Sequence, residues 1–381
     1  MKLKTFFLSF TALFCCSFLQ AQTLPDYWFT DSYMSTKIKS VPKGSSFVFF
    51  TDTHIQRNNG GSAEFVAYLK NNTKASTVVF GGDCFDWAPT KEDAAVMLGG
   101  FSDSMEKALG KDFLWAQGNH DCNSNAVSKY KIAREIAIIP DTQAYDLTVK
   151  KLEGKVTFDD EIMPLLRTKG LPEEASAEAA AWGKMHYCYD DAKARIRFII
   201  LESGDNGNTI HTYKKLFKGW AAVQAPFVKK CLSDVPKGYA VVVAGHMFGS
   251  SKTGPNYALK PIIELLTEYN AKSKIKAMMI SGHVHVDNAF SVRIENDKVA
   301  YTELGTNGKV PAGEVLLVWT SCDARASYAK YAKNTELQKC TAYPTIKKGT
   351  RTEHCADIVT FTKKKIVLTR FGVGEDRSYT L

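Results

Sequence analysis

The sequence predicts a layered α/β fold, on three observations. Six short apolar runs each break off into a polar or glycine-rich cluster, helical stretches lie between them, and the part after His285 is rich in β-branched segments. Such runs, bounded by turn-forming residues, read as buried strands with loops at their carboxyl ends. In chain order they are SFVFF before TDTH, STVVF before GGDCFD, DFLWAQ before GNHD, RIRFIIL before ESGDNGN, YAVVVA before GHMFG and IKAMMIS before GHVHVD. Helical spacing runs from Ala63 to Lys70, Ala94 to Leu109, Trp220 to Leu232 and Leu259 to Tyr269, and helices alternating with strands build stacked layers. Residues 123–186 interrupt this rhythm. They are polar and alanine-rich (EEASAEAAAW), so a largely helical insertion is expected there; it leaves directly after GNHD and is expected to overhang the site. VAYTEL, EVLLVW, DIVTFT and KIVLTR then read as strands.

The 381 residues are 45% hydrophobic and 23% charged, which excludes a disordered chain, a collagen-like repeat and a polytopic membrane protein. The expected organisation is a signal peptide over 1–21, a lead segment over 22–45, a main domain over 46–292 carrying the insertion 123–186, and a β-rich part over 293–381 packed on the same domain. The leader combines a basic start (MKLK), the apolar run FFLSFTALFCCSFL and Leu19-Gln20-Ala21 as a cleavage site. Its apolar run is shorter than the roughly 20 residues of a spanning helix. The protein is therefore expected to be exported, periplasmic or extracellular, beginning at Gln22, with no membrane span after the signal peptide. The formal charge is +9, and removal of Lys2 and Lys4 leaves +7 (9 less 2). The longest basic run, Lys363 to Lys365, is too short for a nucleic-acid arm, so there is no strong nucleic-acid signal, and acidic substrates are not repelled.

Of nine cysteines, Cys15 and Cys16 lie in the leader; Cys322, Cys340 and Cys355 crowd the C-terminal region and are able to supply one bridge. No pair has C-x-x-C spacing, so any metal is to be sought among His, Asp and Asn. GHMFGSSKT lacks the second glycine of a phosphate-cradling loop, with Ser251 before Lys252, and no G-x-S-x-G nucleophile elbow occurs.

Five of the eight histidines, His54, His120, His246, His283 and His285, fall in the clusters that follow strands. Asp52 and His54 are two apart, as are His283 and His285; in extended geometry each pair projects to one side and can share a cation. Asp83 follows Gly81 and Gly82, which let the backbone approach an ion, and its carboxylate is able to bridge two metals. Asn119 and His120 are adjacent and diverge, one to ligate and one to face a substrate. Any one cluster alone is weak evidence; the weight lies in their recurrence after separate strands. Cys84 and Cys122 read as packing residues, and Trp87 as either core or a substrate platform.

TDTH, GGDCFD, GNHD, GHM and GHVH, in this order over residues 46 to 290, resemble the calcineurin-like metallophosphoesterases, of which this chain looks like an exported member. The resemblance implies a β-sandwich flanked by helices, four αββα layers, with two metals at the strands' carboxyl ends. It implies that Asp52, His54 and His285 hold one metal, that Asn119, His246 and His283 hold the other, and that Asp83 bridges them. His120 matches a histidine that is not a ligand but meets the phosphoryl group or protonates the leaving oxygen, and Asp86, three residues after Asp83, orients it. The implied activity is hydrolysis of a phosphorylated small molecule or phosphodiester, a metal-bridging hydroxide attacking phosphorus in line. O- and N-type ligands suit Mn, Fe or Zn.

Departures narrow this. Trp87 stands where the calcineurin branch has a phosphate-gripping arginine, which speaks against protein phosphatase activity. Asp86 occupies the position of the tyrosine ligand of purple acid phosphatases, and only 96 residues follow His285 (381 less 285), too few for the appended domain of secreted 5'-nucleotidases. The alternatives are a nuclease of the same superfamily and a catalytically silent binding protein on the same fold.

Overall fold

The computed structural model of the chain describes residues 32–56, 60–203, 212–213, 215–216, 219–250, 253–321, 323, 354–372 and 374–381. The leader, Cys322, Cys340 and most of the ESGDNGN cluster lie outside these residues.

In chain order the strands are β1 (Ser45–Phe50), β2 (Val78–Phe80), β3 (Phe113–Trp115), β4 (Thr157–Phe158), β5 (Tyr187–Asp191), β6 (Ile196–Ile200), β7 (Ala240–Gly245), β8 (Gly249–Ser250) and β9 (Gly254–Pro255). They continue with β10 (Ala277–Ser281), β11 (Asn288–Glu295), β12 (Lys298–Glu303), β13 (Asn307–Lys309), β14 (Val315–Trp319), β15 (Ala356–Phe361), β16 (Lys365–Phe371) and β17 (Arg377–Thr380). One sheet has the order β13-β17-β16-β15-β1-β2-β3, and a second β12-β11-β14-β10-β7-β6-β5-β4. Strands β1, β2 and β3 run parallel, as do β6, β7, β10 and β14. All carry apolar side chains on both faces, the pattern of strands buried between two layers.

Alternation assigns those faces. Phe47 meets Phe198 edge to face, ring centroids 5.1 Å apart, between the sheets. Phe50 and Phe80 turn the other way, Phe80 meeting Phe101 of helix Lys91–Leu109. On the second sheet Phe198, Val242 and Ile280 belong to the inter-sheet core. Val241, Val243 and Met279 instead pack with Phe227 and Ile262 of helices Trp220–Ser233 and Lys260–Lys272. The layers are thus helix, sheet, sheet, helix, as the family resemblance implies. Each sheet buries one side chain in two against its helices and the next against the other sheet.

The C-terminal strands complete the first sheet. Strand β15 pairs antiparallel with β1, Ser45 opposite Phe361, and β16 and β17 follow. The insertion is helical over Ser124–Ser128, Arg134–Ala137, Asp141–Leu147, Ile162–Thr168 and Ser176–Gly183. Its root borders the candidate site, whereas its remainder runs along the sheet edges. Residues Ala144, Val149 and Leu152 join the core beside β3, and β4 pairs with β5. Before β1, helix Ser32–Ser40 buries Met34 and ties Lys37 to Asp376 at 2.7 Å. Among the described residues no helix is long and apolar enough to cross a membrane.

Candidate metal centre

Every sequence-predicted site residue lies just past the carboxyl end of a strand, Asp52 and His54 after β1, Asp83 and Asp86 after β2, Asn119 and His120 after β3, His246 after β7, and His283 and His285 after β10. Backbone hydrogen bonds lace the first two loops together, from Asp52 N to Gly82 O at 2.8 Å, His54 N to Asp83 O at 3.1 Å and Ile55 N to Cys84 O at 2.8 Å.

The spacing-of-two expectation holds for convergence but not for its reason. Asp52, His54, Asp83, His283 and His285 are in the left-handed region, with φ of 55°, 38°, 62°, 67° and 59°. Extended backbone does not carry these pairs. Each residue instead kinks its loop toward a common point, at roughly 1–3 kcal/mol of strain that the surrounding structure must offset. The glycines also act differently from expectation. A Cβ on Gly81 would lie 2.7 Å from both the Phe49 ring and Thr51 Oγ1, so Gly81 makes room for the core rather than for an ion. A Cβ on Gly282 would lie 2.0 Å from Thr51 Oγ1 and 2.3 Å from Asp52 Oδ2, so its absence lets the two loops meet.

Two carboxylates organise the centre. Asp52 Oδ2 accepts from Thr51 Oγ1 at 2.7 Å and from the His283 N–H at 3.0 Å, which turns Oδ1 toward His285 Nε2 at 2.9 Å and His54 Nε2 at 3.9 Å. Asp83 Oδ1 accepts from the His120 N–H at 2.7 Å, and Oδ2 faces His246 Nε2 at 3.1 Å, His120 Nε2 at 3.8 Å and His54 Nε2 at 4.0 Å. Donor atoms of Asp52, His54, Asp83 and His285 lie within 4.8 Å of one another, and so do those of Asp83, His246 and His283. Asp83 is common to both groups. Asn119 Oδ1 joins the second, 2.8 Å from His283 Nδ1.

These donors fit a pair of cations. Asp52 Oδ1, His54 Nδ1 and His246 Nε2 are buried without a hydrogen-bond partner, although Asp52 Oδ1 and His246 Nε2 have close neighbours out of line for one. His54 Nε2 and His285 Nε2 face each other at 3.3 Å. Buried polar atoms left this way are costly unless something satisfies them, and mixed imidazole and carboxylate donors suit Mn, Fe or Zn.

The electrostatics follow from burial and neighbours. Burial and the His285 imidazole hold His54 down at about 3, and burial and His246 hold His283 at about 4, so both are neutral donors. Burial acts to lower His246, but Asp83 and Asp52 outweigh it and raise it to about 9. Burial acts to raise Asp52, and His285 and His246 outweigh it, bringing it down to about 2.

His120 stands apart from the donor groups of Asp52 and His246. Its Nδ1 meets the main-chain carbonyl of Asp86 at 2.5 Å, while the Asp86 carboxylate is 3.6 Å away. Asp86 therefore orients His120 through its backbone. A carbonyl only accepts, so Nδ1 carries the hydrogen and Nε2 faces the site. Asp86 Oδ1 is also 4.0 Å from His54 Nδ1, and the three side chains form a further donor group.

One supporting residue had no role in the sequence reading. Asp121, the last residue of GNHD, accepts from Asp83 N at 3.1 Å, Cys84 N at 2.7 Å and Gly118 N at 2.8 Å. It clamps the loop that carries Asp83. Burial and the Asp83 charge push its carboxyl up to about 6. Burial and Asp121 hold the Cys84 thiol well above its usual value, and burial and Asp141 do the same for Cys122, so neither is an activated nucleophile.

No curated protein matches the chain. Among solved structures it is similar to a purple acid phosphatase from yellow lupin (Lupinus luteus) seeds at 13% identity and a TM-score of 0.49, covering 89% of this chain and 54% of that one. The chain thus spans about half the length of the lupin protein. It is also similar to a dimetal phosphatase from Danio rerio at 12% identity and a TM-score of 0.46, covering 88% of this chain and 98% of that one. Residues 45–287, well over half of the chain and containing every residue of the candidate centre, match the model of the calcineurin-like phosphoesterases. The chain therefore belongs to the calcineurin-like phosphoesterase family.

Proposed function

We propose that the protein is an exported hydrolase of phosphate esters that works with two transition-metal ions. In this reading Asp52, His54 and His285 hold one ion, Asn119, His246 and His283 the other, and Asp83 is shared. The observation that carries it is the position of Asp83, whose Oδ2 stands between the His54 side and the His246 side while Oδ1 is tied to the backbone. When bound, two such ions activate water for in-line attack on phosphorus and neutralise the phosphoryl oxygens.

The chain's own residues do the rest. Asp52 and Asp83 are each fixed by backbone N–H groups before any substrate arrives, so the negative charge needs no reorganisation. His120, with Nδ1 occupied, presents Nε2 to the site; as an imidazolium it would hold a proton there for the departing alkoxide. Export is supported by the leader, and a phosphorylated substrate by the family.

The test is an assay of purified mature protein, stripped and reloaded with Mn, Zn or Fe, against p-nitrophenyl phosphate, bis-p-nitrophenyl phosphate, nucleotides and phospholipid head groups. Turnover of mono- or diesters that depends on added metal is expected. Folded, metal-loaded protein that hydrolyses none of them would remove the reading.

A further inference from the structure

Trp87 and Tyr130 form an aromatic pair beside the candidate centre that the hydrolytic chemistry does not use. Their ring centroids are 3.9 Å apart with planes at 24°, a parallel stack. Trp87 is partly exposed, and Tyr130 keeps 39% of its surface in solvent. The Lys129 ammonium lies 5.0 Å from the Tyr130 centroid.

The backbone beneath this pair is fixed to the site. Trp87 directly follows Asp86, whose carbonyl meets His120 Nδ1. Gln56 accepts from Asp86 N at 2.6 Å and donates to the Trp87 carbonyl at 2.6 Å. Asn123, at the root of the insertion, accepts from Ala88 N at 2.8 Å and donates to Ala88 O at 3.0 Å. Asn123 thus already joins the insertion to this loop. A tyrosine needed only for packing would gain more by burying its second face. A rigid aromatic stack left partly in water, one residue from the group that steers His120, has the properties of a platform for a flat ring.

We propose that Trp87 and Tyr130 form a leaving-group subsite for phosphate esters of alcohols that carry a planar aromatic ring. The phosphoryl group lies at the metal-ligand cluster against His120, and the ring stacks on the Trp87–Tyr130 pair beside Lys129. This rests on the phosphoesterase reading above and adds the class of leaving group to it.

AMP and ribose 5-phosphate test it, because both break the same kind of 5'-alkyl phosphate bond and differ only in the base. The wild-type metal-loaded enzyme should show a KM for AMP lower by at least about fivefold, the low end for one stacked base. Tyr130→Ala and Trp87→Ala should each bring the ratio of the two KM values toward one, and Tyr130→Phe should restore it. Tyr130 is exposed enough for its alanine variant to fold should Trp87→Ala fail to. Calorimetric titration with adenosine and with phenol identifies the source of the ring. Adenosine binding that Tyr130→Ala weakens marks a nucleoside ester, phenol binding so weakened marks an aryl ester, and binding of neither overturns the subsite. Equal KM values for the two esters overturn it unless phenol binds in a Tyr130-dependent way, a ratio that survives both alanine variants overturns it outright, and either result leaves the phosphoesterase reading standing. Failure to hydrolyse any phosphate ester removes both.

Discussion

Arg370 on β16 holds Asp287, the residue two places beyond His285, in the same guanidinium that binds Asp357 of β15. Its Nη2 donates to Asp287 Oδ1 and, at 2.9 Å, to Asp357 Oδ2, while Nε donates to Asp357 Oδ1 at 2.9 Å. Arg377 of β17 adds a bond to Asp357 Oδ2 at 2.5 Å. All four side chains are buried, two negative against two positive, and Asp287 also accepts from Ser321 N at 2.9 Å. Burial acts to raise the Asp287 carboxyl, and Arg370 and Arg377 outweigh it and hold it below the usual carboxylate range. Strands that lie beyond the family match thus grip the loop carrying His283 and His285.

Arg370→Met should therefore be strongly destabilising. It leaves two buried carboxylates with one cation, and breaking a buried pair from one side costs about 3–5 kcal/mol. Chemical denaturation should show a lower midpoint, and metal titration a weaker affinity. A variant with wild-type stability and metal affinity would refute the clamp.

Asp83→Asn removes the charge of the shared ligand and should lower metal content and activity together, since both groups of donors use the same carboxylate. Elemental analysis checks this. The wild type should carry close to two ions per chain, and a reproducible value of one or none in folded wild-type protein would contradict a dinuclear centre.

His120→Ala should keep its metal while turnover falls by roughly 10² to 10⁴, the range for general acid catalysis. An alkyl phosphate should lose more than p-nitrophenyl phosphate, whose leaving group departs without a proton. Because His120 is steered by the Asp86 main-chain carbonyl, Asp86→Asn preserves that bond and should cost much less. Metal analysis of both variants separates steering from ligation, as loss of metal would make the altered side chain a ligand.

Asp121→Asn should destabilise by about 1–3 kcal/mol per backbone N–H left unsatisfied. An amide offers one oxygen and a repelling NH₂ where the carboxylate serves three N–H donors. Since those donors belong to the Asp83 loop and its neighbour, metal affinity should fall with stability in a thermal melt series with and without metal.

On the export proposed above, the mature protein should begin at Gln22. N-terminal sequencing of protein recovered outside the cytoplasm checks this, and an intact MKLK start would contradict cleavage of the leader.

The sequence by itself determined the layers and the donors. Runs such as SFVFF and YAVVVA are legible because strands buried on both faces need apolar side chains at every position. The candidate ligands are legible because Asp, Asn and His at the ends of such runs have no packing reason to be there. Only the tertiary structure decided how they meet. Left-handed φ at Asp52, His54, Asp83, His283 and His285 has no residue signature, since strain of this kind is imposed by the loops packed around it. The way Asp86 orients His120 was decided there too. Its carboxylate lies 3.6 Å from His120 Nδ1, but the hydrogen bond that steers the ring comes from its carbonyl, an atom every residue has. Arg370 reads locally as the polar end of KIVLTR, and Arg377 has no local signal at all. They become a clamp on Asp287 only because β15 pairs with β1 and brings the C-terminal strands against the second sheet's loops. Pairings across such separations depend on the packing of whole sheets, and no local pattern encodes them.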